Sequence, residues 1–198
     1  MGQSILARSR AGWKPTPDPL PEFITLTTAG GNLARALEGR ELNQLQRDVL
    51  PEFLGHQRWF RGGASRVKRT TVVPIGAVPG NANQLLYLDV ETSEGQARRY
   101  FLPVAALWGE ENLRFGAPKL SYTLARLRSG PNLGALIDAS FDERFHWDLI
   151  KGMRSNASVP GVGGSLVFES NAEFQALELS DTIRPVAIEE RNASFIVG

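Results

Sequence analysis

Three stretches of the sequence, VKRTTVVPIGAV (residues 67–78), QLLYLDVET (84–92) and RRYFLP (98–103), decide the fold. They are rich in β-branched, aromatic and aliphatic residues, which favour strands. The first two are separated by Pro79-Gly80-Asn81, and the second and third by Ser93-Glu94-Gly95. Both connections consist of residue types that form tight turns. We therefore predict an antiparallel meander with strands at Val67–Val78, Gln84–Thr92 and Arg98–Pro103.

An amphipathic helix is expected just before the meander, over Glu41–Leu54. Apolar residues recur there at the i, i+3, i+7 and i+8 spacing of one helix face, namely Leu42, Leu45, Val49 and Leu50. Pro51 lies late in this run. Because a proline disfavours helical geometry at the residue before it, we predict a break or kink near Leu50.

A second helix is expected after the meander. Ser140 and Glu143 form the capping-box pattern that opens helices, and it predicts a helix over Asp142–Arg154. The next residues, 155–165, are rich in Gly, Ser, Asn and Pro and predict a loop. Further strands are predicted at Phe23–Thr28, Tyr122–Arg128, Leu166–Glu169, Thr182–Glu189 and Phe195–Val197.

These elements together predict an α+β fold. A curved antiparallel sheet packs against two or more helices, and an extended Pro-rich tail precedes it. The tail is predicted from alternating prolines, which forbid a helix: Pro15, Pro17, Pro19 and Pro21.

The composition excludes several classes of protein. The chain has 198 residues, of which 42% are hydrophobic and 22% charged, as in ordinary globular domains. No apolar run reaches the roughly 18–20 residues that a membrane helix needs, so we expect no membrane partner. The chain has no cysteine, which excludes disulfides, thiolate metal sites and cysteine nucleophiles. We therefore expect a cytoplasmic protein.

Positive charge is concentrated in the first third of the chain. Residues 1–70 contain 11 Lys and Arg against 6 Asp and Glu, although the net charge of the whole chain is only +1. Five of these cations lie close together, namely Arg58, Arg61, Arg66, Lys68 and Arg69. Such a cluster could meet phosphates or an acidic partner. We favour a solvated turn and strand edge instead, and we expect no nucleic-acid partner.

The sequence shows no catalytic machinery and no metal site. Its two histidines, His56 and His146, lie ninety positions apart, which is not a metal-ligand spacing. No zinc-protease, Walker A or nucleophile-elbow motif occurs. Residues 161–165, GVGGS, lack the third glycine and the following helix of a dinucleotide-binding loop. We expect no catalytic residue and no cofactor in this chain.

A series of motifs resembles the N-terminal cap domain of maltokinases. In that family a helix leads into a Leu-Pro-x-Phe/Tyr-Leu segment, followed by Gln/Arg-Arg-Trp-Phe and a Gly-Lys turn. The matching residues here are LPEFLGHQRWF (50–60), and Arg58, Trp59 and Phe60 form its most specific part. Later matches follow in the family's order, namely YFLP (100–103), LIDA (136–139) with FDERF (141–145), and ERNASFIVG (190–198).

The resemblance covers about residues 15–198 and implies a division of the chain. It implies a tail or linker at residues 1–32, the cap domain at 33–187 and the first residues of a kinase lobe at 188–198. The rest of that lobe would follow Gly198. The proline-rich segment resembles the junction in trehalose synthase–maltokinase fusion proteins, so a trehalose synthase domain could precede Met1.

The resemblance also implies a function. Maltokinases transfer a phosphoryl group from ATP, with Mg²⁺, to maltose and form maltose 1-phosphate for α-glucan synthesis. Asn192, Ala193 and Ser194 would lie in the loop that covers the ATP phosphates, where backbone N–H groups can approach phosphate oxygens. The lysine, metal ligands and base that phosphoryl transfer needs would follow Gly198. The chain alone is therefore expected to be a non-catalytic cap, and 188–198 an unpaired terminal strand.

The sequence departs from the family pattern at three places. Glu190 and Arg191 replace the family's Gln-Ser before the asparagine, and Gly63 replaces the lysine after the Trp-Phe motif. Ala193 also removes a hydroxyl that the family's threonine supplies.

A carbohydrate-binding module is the alternative interpretation. The chain has four tryptophans, and an exposed indole ring can stack on a sugar ring. Trp59 and Trp147 lie in patterned apolar segments, where we expect structural roles. Trp13 and Trp108 are the candidates for exposed sugar platforms.

In Arg58-Trp59-Phe60 we expect a structural role, with one or both rings buried between the first helix and the sheet.

Overall fold

The fold is described from a computed structural model, which describes residues 22–57, 59–60, 66–80, 82–180, 182–186 and 194–198. The strands are β1 (Thr25–Thr27), β2 (Val67–Ala77), β3 (Gln84–Thr92), β4 (Ala97–Trp108), β5 (Thr123–Ser129), β6 (Asn132–Asp138), β7 (Ser158–Gly161), β8 (Gly164–Val167), β9 (Ile183–Pro185) and β10 (Phe195–Val197). The α-helices are α1 (Gly39–Gln44), α2 (Leu50–His56), α3 (Glu143–Arg154) and α4 (Ala172–Ala176). A π-helical turn, Leu45–Val49, joins α1 to α2. Short 3₁₀ helices lie at Leu33–Leu37, Glu110–Leu113, Leu120–Tyr122 and Ala139–Phe141.

Eight strands form one sheet in the order β1-β5-β6-β4-β3-β2-β7-β8. Neighbouring strands are antiparallel except for β1, which pairs in parallel with β5. The predicted meander is the β2-β3-β4 part of this sheet. The prediction of an α+β fold with a sheet packed against helices is confirmed.

β1 belongs to this sheet, although the sequence analysis assigns residues 1–32 to a tail or linker before the domain. Leu26 is fully buried in the core. The Ile24 carbonyl accepts a hydrogen bond from the Arg126 N–H at 2.9 Å, and the Thr28 N–H donates to the Arg128 carbonyl at 2.8 Å. The domain therefore includes residues 24–28. The proline-rich part of the predicted tail, up to Pro21, lies outside the described residues.

Hydrophobic residues cover both faces of the sheet. Since neighbouring residues on a strand point to opposite faces, Leu102 and Val104 of β4 lie on one face and Ala105 and Leu107 on the other. The first face packs against α1, the π-helical turn and α2. The second face packs against Phe145 of α3 and the segment that includes β8. We call this second face the α3 face.

The break expected near Leu50 takes the form of a π-helical turn, and the helical segment continues to His56. The Leu50 N–H donates to the carbonyl of Leu45, five residues earlier. This wider turn immediately precedes Pro51, which has no N–H to donate and lies in the first turn of α2. The hydrogen-bond pattern therefore changes near Leu50, but the helical segment continues.

The predicted capping box at α3 is wrong. Asp142, not Ser140, caps the helix, and its carboxylate accepts the Arg144 N–H at 3.2 Å. Ser140 lies in the 3₁₀ turn, where its N–H donates to the Asp138 carboxylate at 2.9 Å. This extra turn delays the start of α3, and Glu143 pairs with Lys119 instead of reaching back.

The predicted loop at residues 155–165 contains the β7–β8 hairpin. β7 meets β2 where Gly76 lies opposite Gly161. A Cβ on Gly161 would lie 3.0 Å from the Ile75 carbonyl oxygen. The glycines that indicated a flexible loop thus permit close contact between two strands.

Candidate functional site: the C-terminal hairpin on α3

β9 and β10 form a two-stranded antiparallel sheet apart from the main sheet. The Val186 N–H donates to the Ser194 carbonyl at 2.9 Å. At the other end the Thr182 hydroxyl donates to the Gly198 carbonyl at 3.0 Å. The expectation of an unpaired terminal strand is therefore wrong for Phe195–Val197, because β9 supplies its partner.

Ser194 lies just before β10, where its carbonyl accepts the Val186 N–H. Asn192 and Ala193, the other two nucleotide-loop candidates, lie outside the described residues. β9 and β10 lie on the two sides of the boundary expected between residues 187 and 188, and they pair with each other. We call residues 182–186 and 194–198 the C-terminal hairpin.

α3 holds the C-terminal hairpin through His146. The imidazole ring lies against the Phe195 ring, with 3.7 Å between centroids and 33° between planes. Its Nε2 lies 3.0 Å from the Ser140 carbonyl oxygen, so a ring protonated at Nε2 donates there. Burial lowers the pKa of His146, opposed by the bond to Ser140 and by Asp142 and Glu143. His146 is thus a partly packed histidine whose ring makes structural contacts.

The other end of α3 contacts the segment that leads into the hairpin. The Arg154 guanidinium donates to the Leu177 carbonyl. The Gln175 amide donates to the Arg154 carbonyl at 2.8 Å, and the Arg154 guanidinium carbon lies 6.0 Å from the centre of the Phe174 ring. Residues near both ends of α3 therefore contact the C-terminal segment.

Charged side chains pair with one another around the start of α3. The Asp142 carboxylate, 3% exposed, accepts two hydrogen bonds from the Arg144 guanidinium, at 3.2 and 2.9 Å. Lys119 donates to Glu143 at 2.8 Å and to the Phe141 carbonyl. Although partial burial opposes it, Lys119 lowers the pKa of Glu143. Asp138 is also buried, and burial raises the pKa of its carboxyl group.

Sequence reasoning missed Lys119 and Asp138. Lys119 lies in no recognisable motif, and the fold brings it to the start of α3 from the loop before β5, whereas Asp138 lies at the end of β6. The Asp-Ala pair at 138–139 was noticed only through the resemblance.

The Trp-Phe motif lies at the edge of the core, next to β4. Phe60 is only 7% exposed, and Trp59 is half-buried against the same core. Both rings contact Tyr100, with centroid distances of 6.1 Å for Phe60 and 5.2 Å for Trp59. Arg58 lies outside the described residues. Both rings therefore make the contacts expected of side chains with a structural role in packing.

Trp108 packs on the helical side of the sheet and does not form an exposed platform. Its indole ring lies next to Gly31 and Gly134, and a Cβ on either glycine would come within 3.7 and 3.0 Å of it. Trp108 and Trp147 are half-buried. Trp13 lies outside the described residues.

The basic cluster is largely neutralised in the part of the chain that the structure describes. Lys68 and Arg69 both contact the Glu91 carboxylate, at 2.7 and 3.3 Å, and Arg66 lies 3.3 Å from Glu94. Arg58 and Arg61 lie outside the described residues. These ion pairs favour the solvated strand edge over a phosphate-binding surface.

No family model and no curated protein matches the chain. Across the described ranges, His, Asp and Glu nowhere gather in the groups of three or more that could hold a metal ion. Within the same ranges, every helix is too short or too polar to cross a membrane. What the described residues do show is α3 in contact with the two-stranded C-terminal hairpin.

Proposed function

We propose that this chain is the non-catalytic N-terminal cap portion of a maltokinase. The parent protein transfers the γ-phosphoryl group of ATP to the anomeric hydroxyl of maltose and releases ADP and a proton. Its kinase lobe follows Gly198 and binds ATP and Mg²⁺. We further propose a cytoplasmic, bifunctional parent in which a trehalose synthase domain precedes Met1.

One observation carries the proposal. The motifs that resemble the maltokinase cap occur in order along the chain, and the last of them, residues 190–198, overlaps the second strand of a separate hairpin. A kinase lobe that begins with a hairpin over the nucleotide would require such an arrangement. Trp59 and Phe60 belong to the most specific of these motifs, and their ring contacts with Tyr100 give them a packing role.

The role that fits this arrangement is support of the nucleotide-side hairpin. α3 is anchored to the main sheet by Phe145, which is 2% exposed, and it contacts Phe195 through His146. The cap would thereby fix the base of a loop whose backbone N–H groups approach the phosphates.

The test uses the full-length natural protein that contains this sequence. It is incubated with ATP, Mg²⁺ and maltose, and the product is followed by ³¹P nuclear magnetic resonance. We expect a phosphate on the anomeric carbon of maltose, whereas this chain alone forms no product. Phosphorylation of a different sugar position, or no ATP-dependent product with maltose, would contradict the proposal.

The carbohydrate-module alternative has no comparable support. That interpretation requires exposed tryptophans on which a sugar ring can stack. The tryptophans in the described part of the chain are half-buried. Titration of the tryptophan fluorescence with maltose and with trehalose tests this alternative directly, and we expect no saturable change.

A further inference from the structure

We draw no further inference here: the strongest candidate, the cleft at the start of α3 that is lined by Lys119, Asp142, Glu143 and Arg144, belongs to the site already described, because these side chains pair with one another there.

Discussion

Asp138 has a carboxyl group that is buried at the end of β6, where it accepts the Ser140 N–H. Burial raises the pKa of this group, so the folded chain holds the proton to a higher pH than the unfolded chain does. The stability that protonation confers is complete at acidic pH, below the pKa of the unfolded state, and is lost as the pH rises through the folded pKa. The folded chain therefore has less of this stability at neutral pH than at acidic pH.

Asp138→Asn should remove that charge and keep the acceptor oxygen. We expect a higher melting temperature than wild type at pH 7, and equal melting temperatures near pH 3, where both side chains are neutral. Asp138→Ala, which also removes the acceptor, provides the control and should be destabilised at both pH values. A lower melting temperature for Asp138→Asn at pH 7 would mean that the charge has a partner that stabilises it.

His146 should make the attachment of the C-terminal hairpin sensitive to pH. Its pKa is lowered, chiefly by burial, although Asp142 and Glu143 oppose the shift and Lys119 adds to it. A lowered pKa means that its contribution is complete above the unfolded pKa of about 6.5 and is lost as the pH falls through the folded pKa.

His146→Phe keeps a ring against Phe195 and removes the titration. Amide exchange of residues 183–186 and 195–197, measured between pH 5 and pH 7.5 and corrected for intrinsic rates, should show that wild type loses protection at the acidic end. The variant should lose less. The same acid-dependent loss in both proteins would assign it to another group.

Phe60 and Trp59 should contribute unequally to stability, since only Phe60 is fully buried. Removing a buried phenylalanine typically costs about 3–5 kcal/mol. We therefore expect Phe60→Ala to lower the free energy of unfolding by about that amount in urea titrations, and Trp59→Ala to lower it by less. Phe115→Ala, at an exposed site, should change it little. The packing role is wrong if Phe60→Ala unfolds at the same urea concentration as Phe115→Ala.

At the scale of elements, the helical segment protects an open edge of the sheet. β2 pairs with β7 only near Gly76, and between Thr70 and Val72 the helical segment takes the place of a neighbouring strand. The Gln46 side-chain oxygen accepts the Val72 N–H at 2.7 Å, and the Gln46 carbonyl accepts the Thr70 hydroxyl. Gln46 lies in the π-helical turn, so this irregularity has a structural use.

Gln46→Ala should leave the Val72 N–H without its acceptor. An unsatisfied buried donor costs about 1–3 kcal/mol, so we expect a loss of that size in the free energy of unfolding. Gln46→Glu retains an acceptor oxygen and should preserve most of the stability. Equal losses of unfolding free energy in the two variants would show that the acceptor oxygen of Gln46 does not account for the destabilisation.

Elements with a clear pattern were predictable from sequence, and elements determined by close packing were not. The strand predicted at Gln84–Thr92 matches β3 because alternation and flanking turns both indicate it. β6 was missed because Gly134 and Ala135 weaken its strand character. Gly134 is needed there, since a Cβ would lie 2.5 Å from the Leu107 carbonyl oxygen and 3.0 Å from the Trp108 ring. The candidate site shows the same difference. The Trp-Phe motif is recognisable in the sequence, whereas the Lys119–Glu143 ion pair depends on tertiary contacts.

At the scale of the whole molecule, the proposed cap role separates structural support from chemistry. The main sheet has a core on each face. In the described part of the chain, the C-terminal hairpin contacts α3 through Phe195 and His146. In the proposed cap role this platform positions the nucleotide loop, and the kinase lobe of the parent supplies the lysine, metal ligands and base. In phosphoryl transfer these groups provide the main compensation for the charge of the triphosphate.

This chain alone should therefore bind ATP weakly or not at all, and it should neither phosphorylate maltose nor isomerise it to trehalose. The sequence around the proposed nucleotide loop adds an opposing charge, since Glu189 and Glu190 precede it and only Arg191 offsets them. Calorimetric titration with ATP and Mg²⁺ should show no saturable heat at micromolar concentrations, whereas the full-length parent should give a measurable Kd under the same conditions. The double variant Glu189→Gln, Glu190→Gln is the matched control for charge, and it should strengthen any residual millimolar binding by this chain without bringing it into the micromolar range. A micromolar Kd for the wild-type chain would place a complete nucleotide site within residues 1–198, and the division between a supporting cap and a catalytic lobe would then be wrong.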